Sequence, residues 1–402
     1  MECKIGLELE LNLIDEKGKL SNSADDILLN SKKNNYIIGE LSKSMIEVIG
    51  APSADVLEVG RNFGKNLLLL DDIVKEYNLM LVPSSTVGND AKPMSNDSQR
   101  IRGNRKRKIL GNYLRDLEHH ICGTHVHIDH LSTIEKTYKQ YLVMQAMDSM
   151  FSLMSSTPFF LGNNTKKDYR VDIYRNIIFK DFPLQGQLID YPKSYEDIFK
   201  NREKGFKQWV SLDNYNGFDG FKPEDTSWGP IRLCKKTVES RCADANLFSK
   251  VLALATLYQA ASHFIENENP KITINNYVGF SQKNFFNYKK KELILPNYDF
   301  LKKCEYDGIN KGISSEILNP YLSNIMNTLK TYIKNKDLTY IDSFLESLKK
   351  KETFSDKIIS YAKKNNLEKN HQLKESSAKE IRHYIASEYN KDLNIMKKNL
   401  RL

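Results

Sequence analysis

The chain is sparing in the residues on which several function classes rely. Its five cysteines, at 3, 122, 234, 242 and 304, form no C-x-x-C pair in 402 residues. Neither a disulfide framework nor a four-cysteine zinc site is encoded, and reduced thiols are expected. No stretch approaches the ~18 consecutive apolar residues of a membrane helix. Met1-Glu2-Cys3-Lys4 runs straight into a patterned strand without the apolar core of a signal peptide, so a cytoplasmic protein with no membrane partner is expected. A P-loop is missing too: the nearest approach, Gly60 to Asn66, is one residue short and lacks the Ser or Thr.

What is present suits a globular chain: 40% hydrophobic and 28% charged residues, enough for one large domain or two smaller ones. The net charge of +9 raises the question of a nucleic-acid partner, and its distribution argues against one. Residues 1–280 carry 36 basic and 36 acidic residues, whereas 281–402 carry 24 and 15. The excess therefore lies in a Lys- and Asn-rich segment where acids intersperse the bases, as on solvated helix faces. One denser run, Arg100 to Lys108, has six basic residues in nine positions but no neighbouring aromatics on which bases could stack. A composition shift over 281–312 divides the chain into a region 1–280 and a mainly helical region 281–402. Nothing in the pattern fixes an oligomeric state.

Strands are expected at Ile5–Ile14, Ile37–Ile49 with an interruption, Leu79–Pro83, Ile121–Asp129 and Thr237–Asp244. Helical spacing of apolar residues marks Ala54–Tyr77, Asn104–His120, Thr133–Ser156 and Asn246–Glu266, and returns after about 314. The order predicts an α+β fold: a largely antiparallel sheet with helices on one face and a polar face free to hold a site.

The strands carry the chemistry. In the first, Ile5, Leu7, Leu9 and Leu11 fall on one face, and Glu8 and Glu10 on the other. Thr237, Glu239 and Arg241 share a face, as do His125, His127 and Asp129. Glu40 and Glu47 would meet only if Leu41–Ser44 forms a turn or bulge. Taken singly, each is also what a half-exposed, salt-bridged strand looks like. Together on one sheet, Glu8, Glu10, Glu40, Glu47 and Glu239 would crowd negative charge that cannot stay ionised without cations. Oxygen donors with one imidazole favour Mg or Mn over Zn. Such a cage facing arginines holds nucleotide phosphates without a P-loop.

These residues resemble the glutamate-cysteine ligases, specifically the carboxylate-amine ligase branch, whose fold is related to glutamine synthetase. Over about 240 residues the chain shows, in order, GLELEL with Glu8 and Glu10, the acids Glu40 and Glu47, a helix leading into GTHVH, SSTPFFLGNN at 155–164, YRNIIFKDFP at 174–183, and TVESRCAD at 237–244. The resemblance implies a glutamine synthetase-like catalytic domain over 1–280. It implies an enzyme that uses ATP with Mg or Mn to join a small amino acid's carboxylate to an amine, releasing ADP and phosphate, the amide being of the γ-glutamyl kind. Glu8, Glu10, Glu40, Glu47, His125 and Glu239 would be metal ligands; Arg175, Arg232 and Arg241 would face phosphate or the substrate carboxylate, with Arg232, Arg241 and Glu239 at the nucleotide. His127 would support His125 or touch substrate. One departure is Gly229-Pro230-Ile231-Arg232-Leu233, where the family has Asp-x-Arg-Pro. Substrate choice would reside in loops such as 84–100 and 205–227, which carry no readable pattern.

Other readings stay open. HVHIDH at 125–130 fits a dizinc hydrolase signature, with His119, His120 and Cys122 nearby as further ligands. That reading needs histidines on later loops, where only His263, His371 and His383 remain, and leaves the glutamate faces unused. A non-catalytic RNA-binding protein would use the basic run and tail. A phosphotransferase acting on a guanidino compound is the enzymatic neighbour that would form no amide.

Overall fold

The computed structural model describes residues 3–31, 34–96, 101–212, 220–275 and 285–402. At its centre is a sheet of Ile5–Asp15 (β1), Ile37–Gly39 (β2), Met45–Ser53 (β3), Leu79–Val82 (β4), Gly123–Asp129 (β5), Ile231–Leu233 (β6) and Thr237–Asp244 (β7). The order is β2-β3-β1-β5-β7-β6, with β4 paired to the far end of β1. Every pairing in it is antiparallel, and the fold is α+β.

β1 sets the layering. Ile5, Leu7, Leu9, Leu11 and Leu13 are buried on one side because side chains alternate across a strand. Two long helices cover that side. Val56–Glu76 starts at Asp55, whose carboxylate accepts from the Leu57 N–H at 2.9 Å. Phe248–Glu268 is buried along most of its length. The two helices meet through Phe63 and Phe248, edge to face at 5.6 Å. Gly64 permits this approach, since a Cβ there would lie 3.0 Å from the Phe248 ring.

Local chemistry modifies the expected elements. The interrupted strand over 37–49 is two strands joined by a turn at 41–44. The helix expected at Asn104–His120 is the segment Ile101–Glu118, broken at Gly111, where φ 79° and ψ 168° leave helical space. The helix expected to run from Thr133 to Ser156 ends at Ala146 and tightens into 3₁₀ geometry through Met154, with Ser152 Oγ donating to the Ser149 carbonyl at 2.7 Å. β6, three residues long, is too short for an alternation to register.

Residues from Tyr298 onward contribute Phe300, Tyr321, Leu329, Phe344 and Leu400 to the same core as β1. The helix Glu375–Leu400 packs on both covering helices. Arg61 Nε donates to the Leu400 carbonyl at 2.9 Å, and Asp392 accepts from the Ser249 N–H at 2.9 Å. The boundary expected at 280/281 falls outside the described residues, as do Arg100 and parts of the two loops expected to choose substrate. No helix among the described residues is long and apolar enough to cross a membrane.

The deepest tie of this C-terminal helix is Arg382, whose buried guanidinium bridges Asp90 and donates to the Gly18 carbonyl at 2.6 Å. Arg382→Met leaves the Asp90 carboxylate buried without its cation. The expected outcome is a loss of about 3–5 kcal/mol of stability, read by denaturant unfolding.

Candidate active site

Strand register decides which polar side chains meet. Glu10 stands opposite Glu47, Glu8 opposite His125, and His127 opposite Glu239, which in turn faces Arg232. The turn after β2 adds Glu40: its carboxylate accepts from the Leu41 N–H at 2.8 Å, and its carbonyl from Asn96 at 2.9 Å. Ligand atoms of Glu10, Glu40 and Glu47 lie within 4.8 Å of one another, as do those of Glu8, Glu47 and His125. These side chains line a cavity of about 480 Å³ on the polar side of the sheet.

The charges there divide sharply. Burial, then the Glu40 charge, raises the Glu10 carboxyl to about 8. Burial and the neighbouring Glu40 and Glu8 raise Glu47 to about 11. Burial would raise Glu8 as well, but His125 at 2.8 Å and His127 at 3.1 Å outweigh it and hold Glu8 well below the usual carboxylate range. Burial and the Arg241 charge depress His125, whereas the Glu8 hydrogen bond and the Glu239 charge overcome burial and raise His127. Carboxylates kept protonated by burial and by neighbouring carboxylates, next to an imidazole whose charged form burial disfavours, are the donor set of a hard divalent cation, so the residues present fit Mg or Mn.

Arginines form the opposite wall. Glu239, fully buried, receives Arg232 Nε at 2.6 Å on one oxygen and Arg241 on the other, with His127 Nε2 3.6 Å away. Burial would raise the Glu239 carboxyl, but Arg241 and Arg232 outweigh it and hold it at about 2. Both oxygens of this expected metal ligand are thus already engaged by cations.

Arg175 borders the cavity, but its guanidinium is committed to protein carboxylates. Its guanidinium is buried, paired with both Asp148 oxygens at 2.7 and 2.8 Å and with Glu305 at 2.5 Å. The segment contains a second Tyr-Arg pair, Tyr169-Arg170, and the Arg170 charge acts on the Glu10 carboxyl. Arg170 lines the cavity, donates to the Arg241 carbonyl at 3.2 Å and has its buried Nε without a partner. The guanidinium packs against Gly123, where a Cβ would collide with it. The repeat of Tyr-Arg at 169 and 174 is the available signal in sequence; it does not say which copy is taken up by protein carboxylates.

Two further expectations change. The basic run has no aromatic neighbours in sequence, yet Lys106 turns inward to line the cavity and pairs with buried Glu118, which also pairs with Arg115. The zinc constellation does not assemble. Cys122 joins the core, His119 Nε2 lies 3.0 Å from Ser95 Oγ, and His120 Nδ1 lies 2.7 Å from Thr86 Oγ1. Asp129 accepts from the Lys4 N–H at 3.2 Å.

No known family profile matches the chain. Its architecture is similar to that of the glutamate–cysteine ligase of Francisella tularensis, solved in complex with AMP. Identity is 14% and the TM-score 0.54, over 99% of this chain and 92% of that one. A bifunctional glutathione synthetase from Pasteurella multocida is similar at 11% identity and a TM-score of 0.55, over 96% of this chain. The match covers 52% of that protein, so this chain spans about half its length. These likenesses show a fold shared with those two solved enzymes.

The raised Glu10 carboxyl has a pH signature. The folded metal-free protein keeps a proton that the unfolded chain releases at an ordinary carboxyl value, so this contribution to stability is full below about pH 4 and is lost as pH rises toward 8. Melting temperature in chelator should fall across that window. Glu10→Gln should flatten the slope, and Mg should raise the melting temperature most at the alkaline end, measured by scanning calorimetry. Arg175 makes a contrasting prediction: Arg175→Gln should destabilise the protein by about 3–5 kcal/mol because it strands Asp148 and Glu305, visible in denaturant unfolding without any substrate.

Proposed function

We propose that the chain is an ATP-dependent carboxylate-amine ligase that forms an amide between an amino acid's carboxylate and an amine through an acyl phosphate, releasing ADP and phosphate. The observation that carries the reading is one cavity in which the carboxylates of β1 and β3 face Arg170, Arg232 and Arg241. The fold shared with ligases supports it.

The chemistry follows from what a carboxylate lacks. Its leaving group would be oxide, so the oxygen must first take the γ-phosphoryl group of ATP; the phosphate then departs as the amine attacks the carbonyl carbon. Phosphoryl transfer spreads charge over phosphate oxygens, which fixed cations stabilise without reorganising. Glu239 locks Arg232 and Arg241 by one oxygen each, so their forks are set before nucleotide arrives. Arg170 replaces Arg175 as the third guanidinium. Glu10, Glu40 and Glu47, with Glu8 and His125, would hold the divalent cations, which would supply positive charge against the nucleotide phosphates. His127, between Glu8 and Glu239, orients both.

Hydroxylamine in place of the amine should yield a hydroxamate with one ADP per product. AMP and pyrophosphate instead would reveal an acyl adenylate and overturn the mechanism. Arg241→Lys should keep nucleotide binding yet lose roughly 10²-fold or more in kcat, because an ammonium lacks the planar fork. Arg170→Lys should behave likewise in steady-state kinetics.

A further inference from the structure

Among the described side chains of the basic run, Lys106 lies inside a ring of aromatics. Its Nζ sits 4.4 Å from the Trp228 ring centre, 5.0 Å from Phe179 and 6.0 Å from Tyr174, with the Glu118 carboxylate as its ion partner. These distances are those of cation–π contacts, and three rings with one carboxylate make a cage for an ammonium group. Burying an ammonium is costly, and lysine is seldom buried unless paired. Burial and the Arg115 charge, only partly offset by Glu118, depress Lys106 to about 8. A wall needing only packing would carry Leu or Met here.

We propose that this aromatic box is the subsite for the cationic, non-reacting end of the amine co-substrate, and that the Lys106 ammonium occupies it as a stand-in until that amine arrives. The proposal rests on the ligase reading for the word co-substrate, and on the box alone for the class of ligand. Aromatic faces are negative, so an anion brought to Nζ would lie against three repelling surfaces, whereas a second ammonium meets the attraction Lys106 already enjoys. Exchanging one ammonium for another leaves the charge of the wall unchanged. The attacking nitrogen must shed its proton, which a cation cage opposes. The box therefore takes the other end of the molecule, and the substrate class is an amine with a second, protonated amino group. Lys106 withdraws on a flexible four-carbon stem. The break at Gly111 separates its segment from the one carrying Arg115 and Glu118.

The test uses the full chain and the Lys106→Ala variant, titrated with n-butylammonium, which is the lysine side chain as a free molecule, and with n-butyrate of the same length. Trp228 and Trp209 are the only tryptophans and lie 4.7 Å apart, so intrinsic fluorescence reports on the box. Lys106→Ala should bind n-butylammonium at least tenfold more tightly than the wild type and gain melting temperature from it, and adding Trp228→Leu should abolish both effects. Butyrate binding to the wild type that disappears in Lys106→Ala would make Lys106 an anion ligand and overturn the proposal, as would equal n-butylammonium affinity in both proteins. If Lys106→Ala does not fold even with n-butylammonium, the wild type decides: 1,4-diaminobutane should quench its fluorescence at least tenfold more effectively than n-butyrate, and equal or stronger quenching by butyrate would overturn the proposal. None of these binding arms needs turnover. A diamine that binds the box but supports no ADP release would refute the ligase reading and leave the box standing.

Discussion

Carboxylates packed side by side on one sheet face cannot all be anions, and the rest of the molecule is arranged around that constraint. The pairing of Glu10 with Glu47 and of Glu8 with His125 is fixed by backbone hydrogen bonds, so the side chains cannot separate to relieve their repulsion. Protons or cations must supply what distance does not. Holding the strands at that spacing falls to the opposite face, where Leu7, Leu9 and Leu11 are clamped by two long helices. A stiff apolar layer beneath and a charged cavity above are two aspects of one strand's alternation.

The arginines show how the same side chain serves opposite ends. Arg232 and Arg241 remain partly exposed, each spending one edge on Glu239 and keeping donors toward the cavity. Arg175 spends its fork on Asp148 and Glu305 inside the protein, where it ties a short helical segment to the helix Tyr298–Lys311. A guanidinium with two buried carboxylates is a fastening; one that shares a single carboxylate with a second arginine is a tool held ready.

Much of this was legible in sequence because period-two alternation is a strong signal when one face is all leucine. Glu8, Glu10, His125 and Glu239 declared their face from β1, β5 and β7 alone. Glu40 could be placed only by assuming the turn at 41–44, because residues seven apart on an unbroken strand point oppositely. Arg170 and Arg175 follow one another along a short helical segment: Asp168 caps it at Tyr169, and Ile173–Ile178 widens to π geometry. Both arginines border the cavity, and what separates them is that Asp148 and Glu305 take up the Arg175 guanidinium, partners too distant in sequence to be read from the Tyr-Arg pairs. Lys106 was hidden for a different reason. Its aromatic partners come from residues 174, 179 and 228, so a local search for neighbouring rings could not find them.

The contact between Arg61 and the Leu400 carbonyl spans 339 residues, and that between Arg382 and Gly18 spans 364. The helix that shields the underside of the sheet is thus made long after the strands it protects. At cellular synthesis speeds of about 5–20 residues per second, the apolar helix Val56–Glu76 waits roughly 15–70 s for that cover. During this interval Val59, Phe63 and Leu67 lack part of their eventual surroundings, and the nascent chain is a client for whatever chaperone meets it on the ribosome.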